Sequence, residues 1–234
     1  MTAQDIVAEL KKVGTEKTRA MWLKHGAKEP CLGVKVEDMK KIQKRVKVDY
    51  AVALELYDTG IAEAMYLAGL IADDARMTKQ DLQKWVENAT WGMVGEYTVP
   101  WVASSSAHGR EMALKWIDSK DPAIAASGWG TYGSLVAIKP DADLDLAEIQ
   151  ALLERIAKTI HQQPNRVKYV MNGFVIAVGC FVKPLHDLAM ETGKTIGKVT
   201  VDLVGDCKIP SAPESIKKFE ARSPIGKKRK SPKC

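Results

Sequence analysis

Few residue patterns in this 234-residue chain could do chemistry, and most of those fail on spacing. Gly193-Lys194-Thr195 ends like a phosphate-binding loop, but the position five residues earlier, where glycine is required, is Leu188. Asp141, Asp143 and Asp145 alternate like the start of a calcium loop. Its sixth and twelfth positions are Leu146 and Leu152 instead of glycine and glutamate, so helix capping is the expectation. His25, His108, His161 and His186 are scattered far apart along the chain, which gives no metal site. Ser104-Ser105-Ser106 with His108 falls at a predicted helix junction and reads as turn and cap chemistry, not as a nucleophile beside its base. Cys31, Cys180, Cys207 and Cys234 form no CxxC pair and fit reduced thiols in a cytoplasm. Neither a metal nor a cofactor is expected.

Two features remain. Trp85, Trp91, Trp101, Trp116 and Trp129 fall close together, with Tyr97 and Tyr132 among them. Such a cluster is either core or a surface for stacking bases and sugars. Charge is also segregated: from Lys217 to Cys234 eight Lys/Arg face one acid, Glu220, so this stretch carries +7 of a whole-chain +6 and the preceding residues sum to −1. A near-neutral body with a basic tail suggests a polyanion partner, because clustered cations neutralise phosphates and release counterions.

The elements that would position these residues are helices. Ile6, Leu10 and Val13 recur at helical spacing behind Thr2, and a second helix opens near Thr15 and stops at Gly26. Residues 27–35 form a loop punctuated by Pro30 and Gly33. Helices are predicted at about 36–46, 49–59, 61–73, 78–88, 91–105, 107–118, 121–138, 145–161, 164–180, 184–196 and 211–222, with Thr78, Asp121 and Asp145 among their caps. Short loops between them predict an all-α, HEAT-like solenoid of twelve to thirteen helices. The β-prone run Lys198-Val199-Thr200-Val201, followed by Gly205-Asp206, predicts a short hairpin over 197–210. No apolar run is long enough to cross a bilayer and the first residues carry no leader pattern, so a cytoplasmic protein is expected.

Several segments, in order, resemble the DNA alkylation repair family, the AlkD-like proteins built of HEAT-like helical repeats. These are Gly33 to Ile42, leading into the third helix; Glu63-Ala64-Met65-Tyr66-Leu67-Ala68; Trp91 to Trp101, with a Val-Pro at its end; and Asn172-Gly173-Phe174, where the family often has Gly-Trp. The resemblance spans roughly residues 1–222, leaving 223–234 as a basic tail. It implies a concave, basic groove for DNA and, in glycosylase members, a carboxylate that stabilises positive charge as the N-glycosidic bond breaks. The family's aspartate falls on Gly95, with Glu96 beside it. Its cleft arginine has no counterpart in Ala125-Ala126-Ser127-Gly128-Trp129, and its Gly-Trp tryptophan is Phe174.

The resemblance therefore implies a DNA-binding branch lacking the usual catalytic residues: a monomer with little or no base excision, taking duplex or branched DNA. Trp91, Trp129 and Phe174 are its candidate aromatics. Lys35, Lys40, Lys44, Arg166, Lys168, Lys227, Lys228, Arg229 and Lys230 are its candidate phosphate contacts. The alternatives are an alkylpurine glycosylase using Glu96, with Trp91 and Trp129 cradling the lesion, and a HEAT-like protein–protein scaffold.

Overall fold

The computed structural model describes residues 1–202 and 209–233. Among them are thirteen α-helices: α1 (Ala3–Val13), α2 (Glu16–Lys24), α3 (Val36–Val46), α4 (Tyr50–Asp58), α5 (Ala62–Ile71), α6 (Lys79–Glu87), α7 (Val99–Ser105), α8 (Gly109–Ile117), α9 (Pro122–Ile138), α10 (Leu146–Thr159), α11 (Asn165–Phe181), α12 (His186–Ile196) and α13 (Ala212–Glu220). Their starts follow the capping chemistry. Thr2 with Asp5 and Thr78 with Asp81 make reciprocal capping boxes at α1 and α6. Asp121 accepts from Ala123 N ahead of Pro122, and Asp145 accepts from Glu148 N. No single described helix is long and apolar enough to cross a membrane.

The helix predicted over 91–105 is interrupted. Val94–Thr98 is a π-helical turn, and α7 begins only at Val99. Pro100 is the reason: it has no N–H to bond the Glu96 carbonyl, and its ring crowds that carbonyl. The ladder widens instead, with Val99 N–H donating to Val94 O. Residues 197–202 and 209–210 of the expected hairpin adopt no strand, and 203–208 lie outside the described residues.

The chain packs as two compact units, Met1–His108 together with Lys233, and Gly109–Pro232. In the first, α5 is buried along its whole length, Glu63 included. Glu63 Oε1 accepts from Gly33 N (2.6 Å), Val34 N (3.2 Å) and the Cys31 thiol (3.4 Å), and Oε2 accepts from Leu32 N (2.9 Å). This carboxylate thereby fixes the 27–35 loop onto α5. Gly33 is required there: its φ is +76°, and a Cβ would meet Thr15 O at 2.2 Å.

In the second unit α9 and α11 form the centre of the core. Gly128 lets the α9 backbone approach α8, since a Cβ there would meet Ile117 N at 2.4 Å. Trp129 and Tyr132 on α9 each pack edge-on against Phe174 of α11, with centroids 5.4 and 5.7 Å apart.

The last residues of the tail are docked. Pro140 cannot donate to Val136 O, so the end of α9 exposes orphan carbonyls, as does the end of α11. Residues 226–229 cover both. Gly226 N donates to Cys180 O (2.9 Å), Arg229 N to Ala137 O (2.8 Å), and Lys228 Nζ to Phe181 O (2.6 Å) and Val136 O (2.9 Å). A cation at two helix C-termini also opposes both dipoles.

Candidate nucleic-acid interface

Glu96 lies on the π turn, 9% exposed, next in sequence to Tyr97, an exposed aromatic whose ring tilts against Trp101 at 6.3 Å. Trp101 is pinned in turn by the edge of Tyr66. Trp91 is buried: its indole donates to His25 O (3.2 Å) and its ring tilts against Trp22. It ties the end of α2 to the start of the π turn, and its indole N–H is used within the fold.

Trp129 and Phe174 are not placed to meet a ligand directly. Both are 1% exposed, packed on each other, and Arg155 covers Trp129 at 5.7 Å while pairing with Asp118. The small residues around Trp129 serve helix packing, as the Gly128 approach to α8 demonstrates. They do not open a path to DNA.

The basic residues divide by face. At about 100° per residue, Lys40, Lys44 and Lys47 fall within an arc of roughly 60° along α3 and its end. Their neighbours Lys41 and Arg45 are held by Asp38 and Glu9. Lys35, the N-terminal cap of α3, lies off this row and near Glu37. Lys47 was not singled out by sequence, although its i, i+4, i+7 spacing with Lys40 and Lys44 is visible there. Its φ of +64° places a non-glycine residue in the left-handed half of the map.

On α11, Arg166 and Lys168 are two residues apart and therefore about 200° apart, so they do not share a face. Arg166 stacks over Tyr169 at 5.0 Å instead. In the tail, Lys227, Arg229 and Lys230 are exposed. Lys228 is different: its ammonium donates to two helix carbonyls and forms an ion pair with Asp141 Oδ1 at 2.7 Å. It is a helix cap, with its charge engaged within the fold.

The Asp141–Asp143–Asp145 run is likewise consumed locally. Asp141 meets Lys228 and accepts from Lys183 N, while Asp145 caps α10 and pairs with Arg110. Among the described residues no group of three or more His, Cys, Asp or Glu side chains could hold a metal ion. The first unit thus offers a basic row on α3 and a buried carboxylate beside an exposed tyrosine, and the second offers cations on α11 and in the tail.

The chain is similar to known proteins along nearly its whole length. Uncharacterized proteins of Listeria innocua and Listeria monocytogenes are 29% and 28% identical, over 95% of this chain and 99% of theirs. A solved structure matches with a TM-score of 0.90 and 36% identity over 98% of both chains. It is described as belonging to a new family of proteins related to the HEAT-like repeat DNA glycosylases, with affinity for branched DNA structures. The fold is accordingly an all-α, HEAT-like helical repeat. Residues 6–197 match the model of the DNA alkylation repair enzyme family, and the chain belongs to that family.

Proposed function

We propose that this protein binds DNA, branched DNA above plain duplex, and works as a cytoplasmic monomer that excises bases poorly or not at all. The observation that carries the proposal is the similarity to the solved relative with affinity for branched DNA, at 36% identity across the whole chain. Physical support comes from the site. A glycosylase needs a carboxylate and aromatics that reach a lesion. Here Trp129 and Phe174 are core, Trp91 is bonded inward, and Glu96 is largely covered. What remains outside is suited to phosphates: the α3 row, Arg166, Lys227, Arg229 and Lys230. Buried thiols at Cys31 and Cys180 fit a reducing compartment.

The test is fluorescence anisotropy of the full chain with three-way junction, duplex and single-stranded oligonucleotides across a salt series, paired with a base-release assay on methylated DNA. Tightest binding to the junction, with a steep salt slope and no released purine, is the expected result. Base release abolished by Glu96→Gln would replace this reading with an active glycosylase. No binding at low salt would leave a protein scaffold as the better account.

A further inference from the structure

Helix α11 carries a glycine that no contact among the described residues explains. Gly173 is exposed at the middle of a 17-residue helix, and a Cβ built there meets nothing within 4 Å. Gly26 and Gly60 also have open space, but both have positive φ and serve turns. Gly173 is helical, where glycine is less favourable than alanine because it loses more backbone entropy on folding. Among the described residues no packing contact accounts for that cost, and neither does the backbone conformation.

Its surroundings hold the bare backbone in place. On one side of it Phe174 is locked between Trp129 and Tyr132. On the other, the buried Asn172 amide donates to Pro210 O at 2.9 Å. These two side chains point about 100° to either side of Gly173, so the helix cannot roll. Along the same face, Tyr169 and Arg166 lie one and two turns toward the N-terminus, the guanidinium stacked over the ring at 5.0 Å. Arg166 thereby places its charge over Tyr169 on the same face as Gly173, and a guanidinium suits a phosphate.

We infer that the Arg166–Tyr169–Gly173 face of α11 is a seat for the DNA sugar–phosphate backbone, with Arg166 on a phosphate and the missing side chain of Gly173 allowing the strand to lie against the helix. This deepens the DNA-binding reading above and rests on it. The contact reads backbone shape, so it is independent of sequence.

The test sets stability against binding in one variant. In the full chain, Gly173→Ala should raise the melting temperature by about 2–3 °C and weaken junction binding by roughly tenfold or more. Gly173→Val should weaken it further. Arg166→Ala should weaken binding and flatten the salt slope by about one. A Gly173→Ala protein that is more stable and binds as well as the parent would overturn the seat while leaving DNA binding intact. A less stable Gly173→Ala protein would also overturn it, by giving the glycine a structural cause. If the parent binds no DNA at low salt, the reading beneath the seat fails as well, and the parent curve alone reveals it.

Discussion

Lys228 Nζ and Asp141 Oδ1 meet at 2.7 Å beneath the ends of α9 and α11, so a residue from the most basic stretch of the chain acts as structure. Both side chains are well covered, at 18% and 27% exposure. Removing the ammonium would strand the Phe181 and Val136 carbonyls and leave Asp141 without its counter-ion. Lys228→Ala should therefore cost about 2–4 kcal/mol, read as a lowered urea midpoint. Lys227→Glu and Lys230→Glu should leave that midpoint nearly unchanged and weaken DNA binding instead. Deleting everything after Arg222 would remove cap and surface charge together, so point substitutions are the cleaner probe.

Glu63 should be among the residues least tolerant of change in the first unit. It is fully buried, and its partners among the described residues are all donors, as an acceptor-only carboxylate requires. Glu63→Ala would leave three backbone N–H groups of the 32–34 segment without their acceptor, at a cost of about 3–5 kcal/mol. Glu63→Gln keeps the shape but turns an NH2 toward those donors, so it should rescue little. Chemical denaturation of both variants checks this, and a near-neutral Glu63→Ala would contradict the anchoring role.

The two buried thiols should be inert near neutrality. Burial pushes the Cys31 thiol up to about 11, with the Glu63 charge adding to it, and burial alone moves Cys180 to about 11. A thiol moved from 9.0 to about 11 carries roughly a hundredfold less thiolate at pH 8. Peptide mapping after maleimide treatment should find both unmodified in the native protein and modified in denaturant. The sign for stability follows. These groups hold their protons more tightly when folded, so the folded state loses stability as pH rises from about 9 toward 11.

Much of the helical order was legible because caps and prolines act locally. Thr78, Asp121 and Asp145 start helices where their side chains predict. Long-range pairing was not legible. The Gly33 and Glu63 segments stood out as separate motifs, yet they are two halves of one device, because Glu63 bonds the backbone at Gly33. The aromatics could be read either as core or as groove, and only packing places Trp129 against Phe174 and leaves Tyr97 outside. Composition marked the tail as a cluster of cations suited to a polyanion. It gave no hint that Pro140 leaves Val136 O in need of a donor ninety-two residues away.

The α3 row gives the most direct check on how the first unit contributes to DNA binding. Lys44 and Lys47 are exposed and Lys40 half-exposed on one side of the helix, at a spacing that follows its turn. Each lysine that neutralises a phosphate releases counterion, so each one removed should lower the slope of log K against log salt by about 0.9. Lys40→Ala, Lys44→Ala and Lys47→Ala, made singly and together, should reduce affinity alike for every sequence of one DNA structure. Lys41→Ala and Arg45→Ala serve as controls, because Asp38 and Glu9 already hold those cations. A triple variant with an unchanged salt slope would remove α3 from the interface and leave the second unit and the tail to carry the binding.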